Sequence, residues 1–259
     1  MTAAPAWTPD EQLVWCLARR VRPDDVLVVG VATPLAAAAG HLARALLQPD
    51  LTIIEAAAVG VPEHDVADPF VRPDDVARSA VGVLTQAEIL DAIQRGRVTL
   101  QFVSPAQVDG RGALNTSRVA DGKGGLRRLP GGLATADVSQ LVGRLVAYRA
   151  GHSQRFLPAA VDFVTGAPGR VDAIVTDAAV LEWAGDGWRL ASVHDGVAVE
   201  AAIAGCGFPV DADGCVTTEP PPPEALAVLR ERIDPRGLRR LETREGRPDA
   251  LRALEALSR

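Results

Sequence analysis

The chain has 259 residues, 47% of them hydrophobic and 23% charged, which suits one large globular domain able to bury its own core. Its net charge of -6 and pI of about 5.3 exclude the overall basic character of a nucleic-acid-binding domain. Cys16, Cys206 and Cys215 form no disulfide framework, no basic leader opens the chain, and no apolar run reaches the roughly 20 residues of a membrane helix. These features lead us to expect a cytoplasmic protein without membrane or nucleic-acid partners.

A first helix is expected over Pro9–Val21, with Thr8 as its cap and Pro9 in its first turn. Val26–Val29 is a short continuous apolar run that ends at Gly30, the pattern of a strand buried on both faces. An Ala-rich helix over Leu35–Leu47 and a second buried strand over Leu51–Glu55 complete a βαβ unit. Val59–Ser79 reads as a loop, Thr85–Arg95 as a helix stopped by Gly96, and Val98–Val103 as a third strand. Gln107–Gly132 is a glycine-rich segment, too long for an ordinary connection. Leu141–Tyr148, Ala159–Val164 and Ala173–Thr176 are further strand-like runs.

A hairpin is expected from Val180–Trp183 to Trp188–Val193, with its turn at Asp186-Gly187. A short helix over Val197–Ala204, a stiff linker over Pro220–Pro223 and a helix over Glu224–Ile233 follow. Parallel units early and an antiparallel hairpin late predict an α/β fold with an open, mixed, mostly parallel sheet flanked by helices. The expected organisation is a single domain over residues 1–259, with a helical tail from about residue 220.

Chemistry-bearing residues gather after the strands, where α/β sheets hold ligands. Glu55 ends the second strand, and a carboxylate there can act as nucleophile or base, or simply be a solvated strand terminus. Gln107, Asp109 and Asn115 follow the third strand, where they either meet a ligand or build a turn. Gly131 and Gly132 can aim backbone N–H groups at an oxyanion, or form an ordinary turn. Arg118, Arg127 and Arg128 read as a solvated face, with phosphate contact as the alternative. His41, His64, His152 and His194 have no metal-ligand spacing, so no metal is expected. There is no GxGxxG, Walker loop or GxSxG elbow.

The order of these segments resembles the β subunits of the family I coenzyme A-transferases, of the glutaconate type. The resemblance rests on Pro49-Asp50 opening an apolar strand with an acidic end, on Gln107-Val108-Asp109 with Asn115-Thr116-Ser117, and on Gly131-Gly132. Val161–Thr165, Val171-Asp172, Ile174–Asp177, Gly205–Phe208 and Ile233-Asp234-Pro235 extend it, so that it runs from about residue 10 to 237. It implies a NagB/RpiA-like fold, a separate α subunit in a heterodimer or heterotetramer, and coenzyme A thioesters as substrates, with no permanently bound cofactor.

In active members of this family, a β-subunit glutamate attacks the thioester and passes through an anhydride to a glutamyl-CoA intermediate. Glu55 is the corresponding candidate here, with Gly131, Gly132, Gln107, Asp109 and Asn115 as the implied oxyanion and CoA-binding set. The glutamate of the family opens a Glu-Ser-Gly or Glu-Asn-Gly motif, where this chain has Glu55-Ala56-Ala57-Ala58. Counted without a gap from Pro49-Asp50, Ala56 takes the catalytic position, and a one-residue slip turns Glu55 to the other face of its strand. A branch of the family without that glutamate hydrolyses a carbon–carbon bond of a ring-containing acyl-CoA in bacterial steroid breakdown, with a base implied from the α subunit. The resemblance therefore implies CoA transfer between carboxylic acids, with ring-opening hydrolysis or a non-catalytic supporting role as alternatives.

Overall fold

The computed structural model describes residues 6–55, 60–62, 80–168 and 171–257. They belong to two compact units. The first is drawn from Met1–Ala92, Arg97–Phe102 and Glu219–Arg259, and the second from Ile93–Gly96 and Val103–Thr218.

In the first unit, α1 (Pro9–Ala18) begins with Pro9 in its first turn, and Glu11 accepts the Thr8 N–H at 2.9 Å. The helix ends before the expected Val21, because the next N–H groups, of Arg20 and Val21, bond back three residues and tighten the chain into a turn. Strand β1 (Val26–Val29), helix α2 (Pro34–Leu46) and strand β2 (Thr52–Glu55) form the expected βαβ unit, with Val26 opposite Thr52 and Val29 opposite Glu55. Strand β5 (Leu100–Val103) lies parallel on the other side of β1, with Val28 opposite Gln101.

One glycine fixes which face carries α2. A Cβ at Gly40 would lie 2.6 Å from the Leu27 side chain and 3.6 Å from that of Ile53. Leu27 and Ile53 therefore face α2, at a spacing that leaves no room for a larger residue on the helix.

The loop expected over Val59–Ser79 lies mostly outside the described residues. Its Gly60–Pro62 is a strand, β3, which pairs antiparallel with β4 (Ala80–Val83). Helix α3 (Gln86–Gln94) carries a reciprocal cap, in which Thr85 N–H donates to Glu88 and Glu88 N–H donates to the Thr85 hydroxyl. Gly96, at φ +69°, ends it as expected.

The tail departs from the single helix expected over Glu224–Ile233. Helix α6 (Pro223–Val228) widens into a π-helical turn over Leu229–Ile233. A 3-10 turn over Leu238–Glu242 and a helix, α7 (Arg247–Leu257), follow. An ion cluster joins this tail to α1: buried Arg239 meets Asp10 at 2.7 Å, Asp234 at 2.9 Å and Glu11 at 3.1 Å. Arg230 adds a second cation to Glu11 at 2.7 Å. Glu242 accepts the Leu35 N–H at the start of α2 at 2.8 Å, so a carboxylate from the tail serves that helix end.

In the second unit, the glycine-rich segment is not a loop. It holds two small antiparallel hairpins, β6 (Gln107–Val108) with β7 (Leu114–Asn115), and β8 (Arg118–Ala120) with β9 (Leu126–Arg128). Helix α4 (Thr135–Leu141) follows, so the strand expected from Leu141 starts later, as β10 (Arg144–Arg149). β10 pairs parallel with β11 (Val171–Thr176), and β12 (Ala179–Trp183) and β13 (Trp188–Val193) form the expected hairpin. The Trp183 and Trp188 rings meet edge to face at 5.3 Å and close it. Ala159–Val164 is not a strand, because its N–H groups at Val161 and Asp162 donate to the side chains of Asp109 and Gln107 instead of a ladder. Helix α5 (Val199–Ala204) and the two-residue strands β14 (Val210–Asp211) and β15 (Val216–Thr217) run alongside β13. Outside the two small hairpins the described strand pairings are mixed, with more parallel than antiparallel, and no described helix is long and apolar enough to cross a membrane.

Candidate functional site

Glu55 ends β2, and because side chains alternate along a strand it shares the face of Ile53, toward α2. There its Oε1 lies 3.1 Å from Nε2 of His41, which is fully buried, and Glu55 itself is 7% exposed. The carboxylate is thus held beneath a helix, and Ala56 lies outside the described residues. The sequence reading weighed His41 only as a metal ligand and missed it as the partner of Glu55. Its one signal was a lone polar residue on the apolar, Ala-rich face of α2.

The second unit gathers Gln107, Asp109 and Asn115, all buried. Gln107 and Asn115 are direct partners in the β6–β7 ladder. The Asn115 Nδ2 donates to Gln107 Oε1 at 2.6 Å, and Gln107 Nε2 donates to Asp162 at 3.0 Å. The Asn115 Oδ1 accepts the N–H groups of Ser117 and Arg118. Asp109 accepts those of Arg111 and Ala113, which bends the hairpin back at Gly112, at φ +74°. Every carboxamide and carboxylate of these three residues is therefore engaged inside the fold. They build the turn and root of the hairpins.

Gly131 and Gly132 sit against this platform. A Cβ at Gly132 would come within 2.6 Å of Thr165 and 3.3 Å of the Thr116 hydroxyl, so only glycine fits. Thr165 in turn accepts the Thr116 N–H at 3.1 Å and shares a 2.7 Å hydrogen bond with Ser117. Asp162 and Thr165 were missed as site-building residues, because their partners lie more than 40 positions away in sequence. Leu133 follows at φ +42° with 89% of its surface exposed, a strained conformation without a packing return. Among the described residues the N–H groups of residues 131–134 have no acceptor within the fold. Glu55 belongs to the other unit.

A second buried polar chain lies in this unit. His152 Nδ1 is 2.9 Å from the Thr176 hydroxyl and its Nε2 is 2.7 Å from the Ala202 carbonyl. His194 bridges the Thr176 carbonyl and the Thr218 hydroxyl, each at 2.9 Å. Burial holds the His194 pKa below the ordinary histidine value, and the nearby His152 adds to this against the Thr176 carbonyl. Burial also pushes the Cys206 thiol up to about 11, so this sulfur, 3.9 Å from His152, is no nucleophile at neutral pH.

No family model matches the chain. It is 28% identical over 229 residues to the β subunit of the 3-oxoadipate CoA-transferase of Pseudomonas knackmussii, covering 79% of this chain and 85% of that one. It is 23% identical over 261 residues to the β subunit of the glutaconate CoA-transferase of Acidaminococcus fermentans, covering 88% and 93%. Among solved structures, the decarboxylase AibA/AibB superposes with a TM-score of 0.79 at 30% identity, over 91% of this chain and 98% of that one. With identity of this order along nearly the full length, and the same mixed sheet and helices, the chain belongs to the β subunits of the family I coenzyme A-transferases.

Proposed function

We propose that the chain is the β subunit of a heteromeric, CoA-transferase-like enzyme acting on acyl-CoA thioesters, and that it works without a covalent intermediate on Glu55. The observation that carries the second part is the Glu55–His41 pair beneath α2. An attacking carboxylate must bring its oxygen to about 3–3.5 Å from the thioester carbon and then hold an acyl group and CoA in turn. A carboxylate buried under a helix and bonded to a buried imidazole is poorly placed for either. The chemistry then falls to the partner subunit's groups, with the N–H groups of residues 131–134 as donors to the thioester oxygen as charge develops there. Relatives in this group include a decarboxylase, which favours chemistry on the acyl part over exchange of CoA.

CoA transfer between carboxylic acids through Glu55 is the second reading, favoured by the two curated relatives, both CoA-transferase subunits. A heterotetramer in the cytoplasm, as the resemblance implies, fits either reading.

The two separate on one experiment. The chain is co-expressed with its α subunit, mixed with dicarboxylic acyl-CoA thioesters, treated with borohydride and analysed by intact-mass and peptide mapping. We expect acyl-CoA consumption, no reduced glutamyl adduct, and turnover by Glu55→Gln within a few-fold of the parent. An adduct mapped to Glu55, or a loss of about a thousandfold or more in that variant, establishes transfer instead.

A further inference from the structure

We propose that the β8–β9 hairpin is a clamp for the phosphates of the adenosine 3′-phosphate 5′-diphosphate end of coenzyme A. Arg118 and Arg128 are direct partners in its ladder, so two guanidinium groups project side by side on one face. Like charges directly opposite on two strands destabilise a hairpin. A protein with net charge -6 has carboxylates to place there, yet none of Arg118, Lys123, Arg127 or Arg128 has an ion-pair partner among the described residues. The one acid of the hairpin, Asp121, is spent on the turn, where it accepts the N–H groups of Lys123 and Gly125. Unbalanced cations arranged this way call for an anion that the chain itself does not supply.

The cations are also held in place. Arg118 N–H donates to the Asn115 carboxamide, and Ala120 N–H donates to Asp162 at 2.8 Å, so the buried network grips the hairpin at its root. The Arg118 guanidinium lies over the Phe163 ring, 5.4 Å from its centroid, a cation–π contact that restrains it without neutralising its charge. A planar fork of N–H donors matches phosphate oxygens two at a time. Residues 131–134, with their unused N–H groups, follow this hairpin in the chain within a few residues. The thioester and the nucleotide are opposite ends of one extended cofactor, and the proposal assigns the nucleotide end to the hairpin. It rests on the acyl-CoA reading above.

The test is calorimetric titration of the assembled α–β complex with CoA, with adenosine 3′,5′-bisphosphate and with pantetheine. We expect the double variant Arg118→Gln, Arg128→Gln to weaken CoA and the bisphosphate on the order of tenfold or more, and to leave pantetheine unchanged. Equal affinity of parent and variant for CoA overturns the clamp, as does an equal loss for pantetheine. Failure of the variant to assemble with the α subunit overturns it in favour of a protein interface. A parent complex that binds neither CoA nor the bisphosphate sinks the acyl-CoA reading and the clamp together. A parent that binds CoA while the variant does equally well sinks the clamp alone.

Discussion

The two units solve the burial of polar groups in opposite ways. The first buries charge against charge, with Arg239 facing Asp10, Glu11 and Asp234. The second buries mostly carboxamides and hydroxyls against each other and against backbone N–H groups, around Gln107, Asn115 and Thr165. Removing one member of an ion cluster strands the others as uncompensated buried charge, whereas removing a carboxamide or hydroxyl from the second network leaves only unsatisfied hydrogen bonds. The ion cluster fastens a tail and presents nothing outward. The second network ends at an exposed arginine hairpin and at N–H groups without an acceptor among the described residues, and under the proposed clamp its geometry sets the position of the phosphates.

Arg239→Met is the sharpest way to break this contrast, with an expected loss of about 3–5 kcal/mol in urea unfolding. A loss below about 1 kcal/mol shows that water reaches the cluster. Asn115→Ala should cost about 1–3 kcal/mol and also weaken CoA binding through the hairpin root, and a stability loss with unchanged CoA affinity removes the link. Acid separates the units further. His194 has a depressed pKa, so below about pH 6.5 the unfolded chain takes up a proton that the folded one resists, and stability falls with pH until the folded pKa is passed. Urea midpoints measured from pH 8 to 5 should show this decline, and His194→Gln should flatten it. The smallest effect belongs to the partly exposed Glu182–Arg189 cross-strand pair, where Arg189→Ala should cost a few tenths of a kcal/mol.

The strands of the βαβ unit were legible because Val26–Val29 is a continuous apolar run and Leu51–Ile54 is mostly apolar, and the Trp183–Trp188 hairpin because Asp186-Gly187 marks a turn between two strand-like runs. The hairpins inside Gln107–Gly132 were not, since strands of two or three residues carry no period. They are set by Asn115 and Asp109 bonding to backbone groups. The Gln107, Asp109 and Asn115 cluster was visible as residue types. Its inward direction was not, because Asp162 and Thr165 complete it from a distant segment. Glu55 was identified as a carboxylate at a strand end, and the partner that fixes its face, His41, emerges only when α2 packs on β2.

The tail cluster also orders events during synthesis. Asp10 and its cation Arg239 are 229 positions apart, so α1 leaves the ribosome long before the residue that neutralises it. At about 5–20 residues per second the wait is on the order of 10–50 s. Through that interval the first unit holds the acids of α1 without their partner, while the second, made from one nearly continuous stretch that ends at Thr218, is completed before Arg239 is added. A nascent chain halted before Arg239 should therefore carry a folded second unit and an open first one, and the last turn of translation becomes the step that locks the N-terminus.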